Sequence, residues 1–243
     1  MRTYIRRREQ NDQLVVFYGG WGTDENMFIP LCNDNFDFIM FYNYSADEAL
    51  VLPETKTYKK IILIGWSLGV WAAEYLCART GIKPDVTIAI NGTPTPVDDK
   101  LGIPVNVFEG TLNNITEENI EKFYLRVFGD KKTYLLNTDR VPRRTIKSLH
   151  DELRWLYNRI MDQKESGFNW TYSVVSETDR VFPSINLQNY WSKVEGTKHI
   201  TLPLPHYFFH KWESFSDLIY FIENYEHIKK KSKGKKSLQT KGL

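Results

Sequence analysis

The stretch Ile61-Ile62-Leu63-Ile64-Gly65-Trp66-Ser67-Leu68-Gly69-Val70-Trp71-Ala72-Ala73 decides the fold. Its first four residues form a continuous apolar run, as a strand buried on both faces requires. From Leu68 to Arg79 the residues are good helix formers without proline, so a helix follows. Between the two lies G-x-S-x-G, Gly65 to Gly69. A strand, a sharp turn with serine at its apex and a departing helix together make a nucleophile elbow. Glycines are needed on either side because side chains there would collide with the neighbouring strand and helix. The turn also sets the hydroxyl beside the free N–H groups of a helix N-terminus, where developing negative charge is favoured.

Outward from this turn, apolar runs recur at Leu14–Tyr18, Phe36–Tyr42, Asp85–Ile90, Trp170–Val175 and His199–Leu202. With helices expected at Ile185–Val194 and Trp212–Tyr225, the pattern is α/β: a mostly parallel central sheet flanked by helices. Residues 97–169 break the alternation. Helices are expected there at Glu117–Phe128, capped by Thr116, and at Arg143–Met161, where Ile146, Leu149, Leu153, Leu156 and Ile160 share a face. An insertion of this length reads as a helical lid.

The 243 residues are 42% apolar and 26% charged, the balance of a soluble globular chain. One domain is expected over residues 1–228. From Lys229 to Leu243 there are seven lysines and no acid, and this tail reads as disordered. Set against the chain's net +2, those lysines leave the body at −5, which argues against nucleic acid as a partner. No run approaches the ~18 apolar residues of a membrane helix, so no membrane is expected as a partner either. Cys32 and Cys77 form neither a disulfide framework nor a metal-ligand spacing, and the chain reads as cytoplasmic.

A serine hydroxyl needs a base, and the base an orienting acid; on this scaffold they follow the serine in the order acid, then histidine. Of five histidines, His206 lies in a loop just past the last strand, at the sheet end where open α/β folds place their sites. His210, four residues on, is its competitor. Asp179 occupies the loop after the fifth strand, with Glu177 as the alternative. The loop Gly19-Gly20-Trp21-Gly22 follows an early strand, so Trp21 N–H and Leu68 N–H are the expected oxyanion donors.

With these elements in place the chain resembles the α/β-hydrolase superfamily. The segments Phe17–Gly22, Gly65–Trp71, Ala89–Pro94, Asp179–Pro183 and Pro205–Tyr207 are similar to the BioG family, the pimeloyl-[acyl-carrier protein] methyl ester esterases of biotin synthesis. This resemblance spans roughly residues 14–226. It implies Ser67 as nucleophile, His206 as base and then acid, and Asp179 as orienting acid. No metal or organic cofactor is implied, and the implied partner is an acyl-carrier protein bearing the ester. One departure is Gly19-Gly20 where many hydrolases carry His-Gly, which removes a side chain able to brace the oxyanion loop. Residues 126–164 carry ten Lys or Arg against five acids, so Arg126, Arg140, Arg143, Arg144, Arg154 and Arg159 are candidate contacts for an acidic carrier protein. Two alternatives stand beside this reading: another esterase or thioesterase on the same scaffold, and a non-catalytic binding protein that keeps the fold.

Overall fold

The computed structural model describes residues 1–8, 11–32, 35–45, 55, 57–162 and 168–231. Among them, one seven-stranded sheet organises the chain: β1 (Arg2–Arg6), β2 (Gln13–Tyr18), β3 (Asp37–Tyr42), β4 (Lys60–Trp66), β5 (Val86–Ile90), β6 (Tyr172–Ser176) and β7 (Lys198–Leu202). The spatial order is β1-β3-β2-β4-β5-β6-β7. All neighbours pair in parallel except β1, which runs antiparallel to β3 at the edge. The six expected strands are all present. β1 was not foreseen, because its sequence RTYIR is basic and mostly solvent-facing, and an edge strand needs only one covered face.

The alternation of side chains divides the core in two. Leu14, Val16 and Tyr18 of β2 join α1 (Leu68–Thr80) on one face. Val15 and Phe17 point the other way, toward Phe28, Phe209 and the helix Phe215–Glu223. There Phe17 and Phe28 ring centroids lie 4.4 Å apart, and Phe17 and Phe215 5.5 Å. Such buried rings each contribute roughly 1.5–3 kcal/mol by leaving water.

Between β5 and β6 the insertion holds α2 (Val105–Asn113), α3 (Glu117–Phe128), α4 (Lys131–Leu136) and α5 (Ile146–Asp162). α3 has the expected bounds, and Thr116 caps it by accepting from Asn119 N–H. α2 and α4 were not anticipated; α2 starts behind Pro104 and carries Gly110, which weakens its helical signal. The face of α5 bearing Leu149, Leu153 and Leu156 is buried in the same core as α1, so the insertion is packed onto the sheet domain. α6 (Ser184–Trp191) follows β6, and α7 (Phe215–Glu223) comes after β7. α7 begins three residues later than expected because Ser214 caps it, its hydroxyl accepting from Asp217 N–H at 3.1 Å. Residues 225–231 are also helical, so the expectation of disorder from Lys229 fails for Lys229–Lys231; residues 232–243 lie outside the described residues.

Candidate active site

Ser67 sits between β4 and α1 with φ 59° and ψ −131°, in a region that non-glycine residues rarely occupy. Its N–H donates to Ile90 O (2.9 Å), and its carbonyl accepts from Val70 N–H (3.0 Å). The surrounding glycines permit this crowding. A Cβ on Gly69 would lie 2.0 Å from Tyr18 O, and one on Gly92 would lie 2.1 Å from Ser67 O. The turn therefore rests directly on the ends of β2 and β5, and the pattern G-x-S-x-G follows from that contact.

Asp179 and His206 arrive from the loops after β6 and β7. His206 Nδ1 lies 2.6 Å from Asp179 Oδ2, with side-chain exposures of 1% and 0%. The other carboxylate oxygen accepts from Val181 N–H (2.7 Å) and Phe182 N–H (2.9 Å). A carboxylate so held fixes the Nδ1–H tautomer and leaves Nε2 as the free basic nitrogen. The carbonyl of His206 accepts from Trp66 Nε1–H (3.1 Å) and Asn91 Nδ2–H (2.9 Å). Asn91 also bonds Ser176 through both its amide atoms. The imidazole lies 5.0 Å from the Trp66 ring, adjoining the serine, and stacks on Phe182 at 6.2 Å. The direct bond of the set is His206–Asp179; Ser67 is tied to the same corner through Trp66 and the end of β5.

The competing residues stand elsewhere. His210 packs against Tyr207, its Nδ1 is buried with no hydrogen-bond partner among the described residues, and burial followed by the Lys211 and Arg140 charges pushes its pKa down to about 4. Glu177 is exposed.

Ser67 opens onto a cavity of about 310 Å³. Its walls are mainly apolar, from Leu68, Ile103, Phe108, Phe123, Leu153 and Val181, and Trp21 lines it beside the serine. Among the described residues, neither the Trp21 nor the Leu68 backbone N–H has a hydrogen-bond partner, so both are free to serve an anion. Two cations, Arg126 and Arg180, also line the cavity. Arg180 was missed by the sequence reading, although it directly follows Asp179.

The six arginines of the expected carrier-protein face do not form one surface. Arg126 is exposed at the cavity. Arg143 and Arg154 are exposed, and Arg154 Nη2 contacts His150 Nε2 at 2.9 Å. Arg140 is half-buried and reaches Tyr207 Oη at 3.5 Å, and Arg159 is half-buried over the Trp155 ring. Arg144 is excluded from docking: its side chain is 3% exposed and pairs with Glu152 at 3.2 Å. It points inward because Glu152 lies on the apolar stripe of α5 and needs a counter-charge. Burial raises the Glu152 pKa, opposed by Arg144 and by the Gly22 and Tyr44 N–H groups that favour the anion.

The chain is similar to several known proteins. The family model described as "Pimeloyl-ACP methyl esterase BioG" matches residues 1–218. A malonyl-[acyl-carrier protein] O-methyltransferase of Bacteroides fragilis (strain 638R) is 35% identical over 184 residues, or 74% of this chain, and the chain spans 37% of that relative's length. A pimeloyl-[acyl-carrier protein] methyl ester esterase of Wigglesworthia glossinidia brevipalpis is 25% identical over 209 residues, covering 78% of this chain and 71% of that protein. The crystal structure of BioG from Haemophilus influenzae superposes with a TM-score of 0.80 at 31% identity, covering 90% of this chain and 99% of the other. An esterase from Exiguobacterium antarcticum has the same fold, with a TM-score of 0.65 at 14% identity. With a family model covering most of its length and a solved member matching it nearly end to end, the chain belongs to the BioG family and has the α/β-hydrolase fold.

Proposed function

We propose that the chain is a serine carboxylesterase that hydrolyses the methyl ester of a pimeloyl group carried on acyl-carrier protein, releasing methanol and a free carboxylate. The observation that carries this reading is the buried His206–Asp179 pair beside a strained Ser67 that opens into an apolar cavity. His206 Nε2 takes the Ser67 proton as Oγ attacks the ester carbonyl. The tetrahedral oxyanion accepts from Trp21 N–H and Leu68 N–H. His206 then returns the proton to the departing methoxide, and methanol leaves an acyl-Ser67. Water attacks in turn, giving its proton to His206, and the collapse of the second tetrahedral adduct restores Ser67 and frees the acid.

The substrate choice rests on family membership and on the cavity's character. An apolar slot suits a polymethylene chain, and Arg126 and Arg180 offer charge for the acidic phosphopantetheine-bearing partner. The name of the Bacteroides relative points to the same chemical object, a methyl ester on a carrier-bound acid, and the chain matches only about a third of that protein.

The test offers purified protein the methyl ester of pimeloyl-acyl-carrier protein, with a simple acetyl ester as control, and measures methanol release. Turnover of the carrier-bound ester that is lost in Ser67→Ala supports the reading. Turnover of the acetyl ester alone assigns the chain to a different esterase specificity. No turnover of either, with intact fold, leaves a binding protein.

A further inference from the structure

The loop that carries the free Trp21 N–H is held from the insertion. Glu152 of α5 is fully buried; its Oε2 accepts from Gly22 N–H (3.1 Å) and its Oε1 from Tyr44 N–H (3.1 Å). Arg144, just before α5, donates through Nη1 to Thr23 O (2.8 Å) and through Nη2 to Asn43 Oδ1 (2.6 Å). Trp21 Nε1–H donates to Leu149 O (2.8 Å), and the Tyr124 hydroxyl of α3 donates to Gly22 O (2.7 Å). Each of Trp21, Gly22 and Thr23 is thus bonded to a different group of the insertion.

A buried ion pair is weak grounds for stability. Desolvating two charges is costly, and well-packed apolar side chains of similar volume are often as stable or more so. What the charges do that apolar groups cannot is fix the direction of specific peptide groups. Gly22 N–H belongs to the peptide next to the one that must aim Trp21 N–H at the oxyanion, and Thr23, whose carbonyl Arg144 holds, donates its hydroxyl to Gly20 O of that peptide at 2.8 Å. The Gly19-Gly20 pair leaves no side chain of its own to do this.

We infer that Arg144 and Glu152 are positioning residues of the oxyanion hole, a buried clamp through which the insertion sets the Trp21 N–H. This deepens the proposed esterase reading and rests on it. The insertion then cannot swing clear as a lid without releasing the oxyanion loop.

The test compares the wild-type chain with Arg144→Met/Glu152→Leu, which swaps the pair for apolar side chains, and with Arg144→Lys, which keeps the charge but loses the planar fork. The readouts are kcat and KM on an ester, the affinity of an alkylboronic acid, and thermal stability. A boronate bonded to Ser67 mimics the tetrahedral anion and reports the oxyanion hole directly. In the folded double variant kcat should fall about 10²-fold, as for a lost oxyanion donor, with KM unchanged and boronate affinity falling in parallel. Arg144→Lys should lose about tenfold in kcat, the equivalent of one hydrogen bond, at near-native stability. A folded double variant with wild-type kcat, or one whose kcat falls while boronate affinity holds, overturns the clamp. Should the double variant not fold, wild-type kcat in Arg144→Lys overturns it equally. If the wild-type chain turns over no ester and takes no boronate, it is the esterase reading that fails.

Discussion

Gly20→Ala probes the contact between the oxyanion loop and the nucleophile. A Cβ at Gly20 would stand 2.7 Å from Ser67 Cβ, 3.2 Å from Ser67 Oγ and 3.2 Å from Trp66 O. Carbon atoms pack at about 3.5–4.0 Å, so the serine and the loop must part by roughly 0.8 Å or more. Neither can move cheaply, since Ser67 is held on Ile90 O and the loop on Glu152 and Arg144. Overpacking of this kind costs about 1–3 kcal/mol. At about 2–4 °C per kcal/mol for a chain of this size, Tm should fall by roughly 2–12 °C. A displacement near 1 Å at the reacting atoms should lower kcat about 10²-fold. Gly110→Ala in α2 is the control: its Cβ meets nothing within 4 Å, and the helix should gain up to about 1 kcal/mol. Thermal melts and turnover of a chromogenic ester read both variants. Wild-type turnover in Gly20→Ala would refute the claim that the loop and the serine are in working contact.

Other expectations concern the acid, the cavity's cations and acid stability. Asp179→Asn removes the carboxylate that holds His206 Nδ1–H, and kcat should fall about 10⁴-fold while the fold survives; a loss under tenfold would show that the histidine is oriented by something else. Arg126→Glu with Arg180→Glu should raise KM for the carrier-bound ester and spare a small ester, and equal loss on both would count against a carrier contact at the cavity. His210 has its folded pKa pushed down to about 4 from an ordinary 6.5, so the fold prefers the neutral ring. Its contribution is present above pH 6.5 and is lost as pH falls toward 4. His210→Gln should flatten that part of the Tm-against-pH curve, and an unchanged curve would exclude His210 as its source.

Local constraint explains what the sequence reveals. Ser67 was legible because strand, turn and helix are contiguous, and the steric demands of that turn are written as glycines five residues wide. Asp179 and His206 were legible because a parallel sheet sends successive strand-end loops to one edge. β1 was hidden because three of its five residues are exposed and two are arginines, so it lacks an apolar run. The inward turn of Arg144 was hidden because charge counting says nothing of helix phase. A signal for it did exist: Glu152 sits among Leu149, Leu153 and Leu156 at helical spacing, and a carboxylate on an apolar stripe needs a buried partner. The partner's further bonds, to Thr23 and Asn43 more than a hundred residues away, depend on tertiary structure.

Mass spectrometry of the chain after reaction with a fluorophosphonate tests the catalytic role of Ser67 most directly. A single covalent adduct is expected, mapped by peptide analysis to Ser67, absent in Ser67→Ala and strongly slowed in His206→Ala. An adduct on another residue, or labelling of Ser67 at the same rate without His206, would contradict a serine activated by the His206–Asp179 pair.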